Sequence, residues 1–143
     1  MCRITGYWDF NNDYTQETDH HITQMCDSMV HGGPDDSGIF IDKKSHLALG
    51  HRRLSIIDLS KTGHQPMQDP TKNWVICYNG EVYNFLEIKQ ELQGLGIQFK
   101  STSDTEVILH AWIQWGEKCL HKFHGMFGFA IYNIIKKELT LIR

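Results

Sequence analysis

Apolar residues recur with helical spacing in three stretches of the chain. Across 18–30 they fall at Ile22, Met25, Cys26, Met29 and Val30, the i, i+3, i+4, i+7, i+8 pattern of one helix face, and His31-Gly32-Gly33-Pro34 stops the run. A second run, Phe85, Ile88, Leu92 and Leu95, has Asn84 as a candidate cap and ends at Gly94 and Gly96. The third opens on Ser103-Asp104-Thr105-Glu106, a capping-box spacing, and continues through Val107, Ile108, Ala111, Trp112 and Trp115 to Gly116. Segments rich in β-branched and aromatic residues predict strands at 38–41, 47–50, 53–57, 74–78 and 126–134. The last of these reads as a hairpin with 138–142 across Ile135-Lys136-Lys137. Short strands with helices grouped between them predict an α+β fold in which helices cover the outer faces of sheet.

Composition narrows the classes. The 143 residues suit one domain, with 41% hydrophobic and 22% charged residues and a formal charge of −3. No apolar stretch approaches the roughly 18 residues of a membrane span, and MCRITGYWDFNND lacks the apolar core of a secretory signal, so a cytoplasmic protein is expected. Lys and Arg are scattered singly, so nucleic acid is not an expected partner. Cys2, Cys26, Cys77 and Cys119 show no paired-ligand spacing, and the nine histidines form neither a His-Glu-x-x-His motif nor a Cys/His cluster, so no metal is expected. Cys26, Cys77 and Cys119 sit among apolar neighbours and read as reduced, buried thiols. The chain stops at Arg143 directly after an apolar strand, which reads as a truncated sheet whose open edge would favour association, a homodimer being one form of it.

Candidate chemistry begins at Cys2. Removal of Met1 would place a thiol and a free α-amine on one residue. The amine, with a pKa of about 7.7–8.0, can take the proton of a thiol at about 8.5. The bland reading is an N-terminal strand residue. Tyr78-Asn79-Gly80-Glu81-Val82-Tyr83-Asn84 follows the apolar WVIC segment; Asn79 and the Gly80 N–H could serve a developing oxyanion, or Asn79-Gly80 could be a plain turn. Arg53 could clamp a carboxylate or make a surface ion pair. Asp104 could hold an ammonium group or only cap a helix. Gly63-His64-Gln65-Pro66-Met67 reads locally as a turn and no more.

Met1-Cys2, His31-x-Gly33-Pro34-Asp35-Asp36-Ser37-Gly38, Gly50-His51-Arg52-Arg53-Leu54-Ser55-Ile56-Ile57-Asp58, Gly63 to Met67, Tyr78 to Asn84, Ser103 to Glu106 and Gly125-Met126-Phe127-Gly128-Phe129-Ala130 follow one another along nearly the whole chain. In order and spacing they resemble the class II glutamine amidotransferase domain, in the form found at the N-terminus of glutamine-hydrolysing asparagine synthetases. The resemblance implies an N-terminal nucleophile hydrolase fold: a four-layer α/β/β/α sandwich of two stacked antiparallel sheets, here an incomplete domain over 1–143 without the synthetase domain. It implies that Cys2 attacks the glutamine side-chain amide with its own α-amine as base, that Asn79 and Gly80 form the oxyanion hole, and that Arg53 clamps the substrate α-carboxylate. Asp104, with Glu81 near it, would hold the α-ammonium, and Arg53, Leu54, Ser55, Ile56 and Ile57 would wall the pocket as a strand.

Cofactors are expected to be none in this chain, with ATP and magnesium belonging to the synthetase domain of a full-length parent. The partners implied are glutamine and that domain. Two further readings stand beside this one: the same chemistry with another acceptor, such as a sugar in surface-polysaccharide assembly, or a domain that binds glutamine without turnover. The chain also departs from the family pattern. Arg3 stands where Gly usually follows the nucleophile, placing a bulky cation next to it in sequence, and Gly32 stands where the family has an Arg usually placed beside the site.

Overall fold

Side chains alternating at every second position build two antiparallel sheets, seen in a computed structural model that describes residues 2–11, 16–55 and 61–143. The first has the order β1-β3-β2, from Arg3–Trp8 (β1), Asp36–Asp42 (β2) and Leu47–Arg53 (β3). The second has the order β4-β5-β6-β7, from Met67–Gln68 (β4), Trp74–Val82 (β5), Gly125–Asn133 (β6) and Glu138–Ile142 (β7). Three helices, Gln16–Asp27 (α1), Phe85–Gly94 (α2) and Asp104–Trp115 (α3), complete the described elements with 3-10 turns at Val30–Gly32, Lys61–Gly63 and Gly116–Lys122.

Register decides which face each residue takes. Leu47 and Leu49 pack with Val75, Cys77, Ala130 and Tyr132 to form the core between the sheets. The opposite face of β3 meets α1, where a Cβ on Gly50 would collide with Cys26 and lie 3.2 Å from Ile22. On the far side of the second sheet, Ile76, Tyr78, Phe129 and Ile131 pack against α2 and α3 through Ile88, Leu92 and Ile108. Each such side chain, fully withdrawn from water, is worth about 1.5–3 kcal/mol. The layers therefore run α1, sheet, sheet, α2 with α3, the four-layer α+β order expected from the sequence. No helix among the described residues is long and apolar enough to cross a membrane. Cys26, Cys77 and Cys119 are buried, as expected, and Cys2 is only partly so. Burial pushes all three buried thiols up in pKa, Cys119 to about 12.

Several local expectations need correcting. The pieces predicted at 47–50 and 53–57 are one strand, β3, which ends at Arg53; Gly50 does not interrupt it, because its missing side chain makes room for α1. Leu54 and Ser55 are not strand residues, and Ile56 and Ile57 lie outside the described residues. Asn79-Gly80 is no turn: β5 runs on to Val82, with Asn79 opposite Gly128 and Gly80 opposite Phe127. Gly80 has φ 151°, and a Cβ there would strike the β6 backbone, so the glycine serves the close approach of two strands.

The predicted caps also differ. Asn84 does stand at the N-cap of α2, but its side chain makes no cap bond: its amide donates to the Lys122 carbonyl at 2.9 Å and accepts from His124 N–H at 2.9 Å, tying α2 to the start of β6. At α3 Ser103 alone is the N-cap, accepting from Thr105 N–H at 3.1 Å, and Asp104 is the first helical residue. Glu106 does not reach back to Ser103. Its carboxylate instead gathers Lys100 N–H at 2.9 Å, and Ser101 N–H and Oγ–H at 2.7 and 2.6 Å.

Candidate active site

Both central strands change character along their length. LALGHRR passes from leucines to His51 and Arg53, and WVICYNGEV from Val75 and Cys77 to Asn79 and Glu81. Two contacts between the sheets set the strands in step: His51 Nε2 donates to the Tyr78 carbonyl at 3.1 Å, and Cys77 Sγ–H donates to the Gly50 carbonyl at 3.6 Å. The apolar filling of the inter-sheet space thus gives way to polar residues at one end of both sheets. Burial holds the His51 pKa down to about 4, so its ring is neutral at physiological pH.

Cys2 stands at this end. Arg3 pairs with Arg52, so one further step of the same register places Cys2 opposite Arg53 and on the face that carries Ile4, His51 and the inter-sheet core. The Cys2 thiol accepts from Leu54 N–H at 3.3 Å and donates to the Leu54 carbonyl at 3.5 Å. Arg53 is 8% exposed, which removes the surface ion-pair reading. Its guanidinium lies over Gly63, where any Cβ would collide with it. The segment that follows is clasped by the loop before β2: Asp35 N–H donates to the Arg53 carbonyl at 3.0 Å, and Ser55 N–H to the Asp35 carboxylate at 2.7 Å.

Across the slot, Asn79 faces the first sheet beside Gly128, which adds no side chain to crowd it. The Asn79 side-chain oxygen is buried without a hydrogen-bond partner. Gly80 and Glu81 follow it and are exposed. Asp104, 5% exposed, lies on the α3 side of β5, where its carboxylate accepts from the Tyr78 hydroxyl at 2.8 Å and from Val82 N–H at 3.4 Å. Burial raises its pKa despite these donors. Tyr78 therefore connects the parts, through its carbonyl to His51, its hydroxyl to Asp104, and its N–H to Gln65 at 2.6 Å. No hydrogen bond among the described residues joins Cys2 to Asn79 or Asp104.

Some of these positions carry no role in the sequence reading. Gln65 is more than part of a turn: it accepts from Tyr78 and donates to Thr105 at 3.2 Å, bridging β5 and α3 while 5% exposed. The adjacent His64 pairs with Asp36 at 2.7 Å. An uncharged, hydrogen-bonding Gln before Pro was the available signal, and its partners are distant in sequence. Arg3, next to the nucleophile candidate in the chain, shares the face of its neighbour Arg52, toward α1 and away from the Cys2 thiol.

The chain as a whole has relatives. Asparagine synthetase [glutamine-hydrolyzing] 3 of Bacillus subtilis is 41% identical over 135 residues, 93% of this chain and 21% of that protein. Asparagine synthetase B [glutamine-hydrolyzing] of Escherichia coli is 38% identical over 142 residues, 99% of this chain and 24% of that protein. The chain thus spans roughly a fifth to a quarter of the length of these relatives. Among solved structures, the glutamine phosphoribosylpyrophosphate amidotransferase of B. subtilis, in complex with ADP and GMP, superposes with a TM-score of 0.69 at 20% identity, over 92% of this chain and 35% of that one, a likeness of fold. The sequence profile of the glutamine amidotransferase domain matches residues 1–143 without remainder, and the chain belongs to that family.

Proposed function

We propose that this domain hydrolyses the side-chain amide of glutamine through Cys2. Once Met1 is removed, the α-amine takes the thiol proton and the sulfur attacks the amide carbon. The oxyanion forms against Asn79 and the Gly80 N–H, which act where charge develops. Collapse of the intermediate breaks the C–N bond, the amine returns its proton to the departing nitrogen, and ammonia leaves a γ-glutamyl thioester. Water then attacks the thioester, giving glutamate and the free thiol. Arg53 receives the α-carboxylate, while Asp104, with Glu81 nearby, receives the α-ammonium. Leu54 and Ser55 wall the pocket.

The observation that carries this reading is the placement of Cys2: a partly exposed thiol, held by the Leu54 backbone at the polar end of the slot where Arg53 and Asn79 also face inward. A buried carboxylate with a raised pKa at Asp104 also suits a cationic guest, whose charge would offset the cost of burial.

The relatives' names support aspartate as the acceptor in a longer parent. Ammonia would amidate aspartate at the expense of ATP in a synthetase domain, and ATP and magnesium would be held there and not by these residues. A cytoplasmic location accords with such biosynthesis. The test is direct. Mass spectrometry establishes whether Met1 is absent; a glutamine-like diazoketone should then label Cys2 once, and glutamine should yield ammonia and glutamate in equal amounts. Labelling spread over Cys26, Cys77 and Cys119, or no ammonia from a chain that starts at Cys2, overturns the proposal.

A further inference from the structure

Gly32 ends the 3-10 turn after α1 and is buried. Its backbone is not in the left-handed region, which among the glycines holds only Gly80, Gly96 and Gly116. A side chain there would meet Arg3 and oblige it to shift. An added Cβ would stand 2.6 Å from Arg3 Cγ, 2.8 Å from Nε and 3.0 Å from Cζ. Arg3 reaches this seat because its cross-strand neighbour Arg52 goes elsewhere, to the Cys26 carbonyl at 3.1 Å and to the Asp27 carboxylate. From the seat, Arg3 Nη1 donates to the Cys2 carbonyl at 3.2 Å.

We infer that Arg3, seated over Gly32, is a positioning residue for Cys2. The reason is the geometry of a tetrahedral carbon. Leu54 fixes the direction of the Cys2 side chain, and Arg3 fixes the direction of its carbonyl. With two substituents of the Cα held, the third, the α-amine, has one direction left. A base that must meet its own thiol gains from that restriction, since effective molarity falls quickly with misplacement. Arg3 acts from the α1 side of the sheet and leaves the slot clear, so the arginine and the glycine are a matched pair.

The inference rests on the proposed role of Cys2, and one experiment separates the two. The rate of Cys2 labelling by the diazoketone, which must be held in the glutamine pose, is compared with the rate by iodoacetamide, which need not be. Arg3→Met keeps the stem and removes the donors; Gly32→Val keeps the charge and fills the seat, with Gly32→Ala in reserve where valine does not fold. Each variant should slow diazoketone labelling by about fivefold or more and leave iodoacetamide within about twofold. The double variant should be no slower than the worse single one, since both break the same contact. Arg3→Lys, with stem and donor retained, should recover part of the rate. Wild-type-like labelling in both single variants, additive effects in the double, or equal slowing of both reagents overturns the inference while leaving the glutaminase reading in place. A wild-type chain beginning at Cys2 that iodoacetamide labels and the diazoketone does not overturns both.

Discussion

Leu54 holds Cys2 with main-chain groups, N–H at 3.3 Å and carbonyl at 3.5 Å, whereas Asp104 takes its shorter contact from a side chain, the Tyr78 hydroxyl at 2.8 Å. The difference governs how each region responds to change. A contact made by the backbone survives substitution of the residue that makes it and fails when the chain path moves. A contact made by a side chain fails with one atom. The nucleophile candidate is therefore tuned by whatever sets the path of the 53–55 segment, including Asp35, and the carboxylate by Tyr78 itself.

Substitutions can break this comparison, beginning with the most severe. Cys2→Ala should abolish glutamine-dependent ammonia release and leave the melting temperature nearly unchanged, because the lost contacts are weak thiol hydrogen bonds. A variant that retained turnover would return Cys2 to an ordinary strand-end residue. Asp104→Ala should act on both binding and stability: KM for glutamine should rise by the equivalent of about 2–4 kcal/mol, with the Tyr78 hydroxyl left buried and unpaired. Unchanged KM with lowered stability would make Asp104 purely structural.

Acid provides a third probe, since His51 bridges the two sheets. Its pKa is held at about 4 in the fold against 6.5 for a free side chain, so the unfolded chain binds the extra proton first. Stability from this group is complete above about pH 6.5 and is lost as pH falls toward 4, by order of 3 kcal/mol. Asp104 has the opposite sign: its raised carboxyl contributes stability at low pH that is lost as pH rises through its folded pKa. Urea unfolding at pH 7 and 4.5, in wild type and His51→Gln, isolates the histidine; identical pH slopes would refute it. The smallest effect is expected at Gly63→Val, which displaces the Arg53 guanidinium without altering Arg53 and should raise KM about tenfold, or 1.4 kcal/mol, at unchanged kcat. No change there, with a defect in Arg53→Lys, would show that Arg53 acts from a different position.

The same distinction explains what the sequence disclosed. The helical face of Val107, Ile108, Ala111 and Trp112 and the β6–β7 hairpin could be read directly, because side chains carry both patterns. So could the ordered motifs around Cys2, Arg53, Asn79 and Asp104. An N-terminal strand stood only as the bland reading of Cys2, and β1 was given no bounds, since RITGYW lacks clean alternation. The Leu54 contact could not be read at all, because a main-chain N–H is the same for every residue but proline. Gln65 remained hidden because its partners, Tyr78 and Thr105, lie far along the chain.

The distribution of thiols makes the protein a gauge of its own folding. Cys26 and Cys77 flank Gly50 from opposite faces of β3, Cys119 is buried beside α3, and only Cys2 is partly open. A thiol reagent at mildly alkaline pH should consume one equivalent rapidly, and the other three only as fast as the chain opens. Because Cys26 and Cys77 report on the first sheet and the inter-sheet core while Cys119 reports on the helical side, the order in which they react would show which half of the sandwich gives way first, with no label introduced.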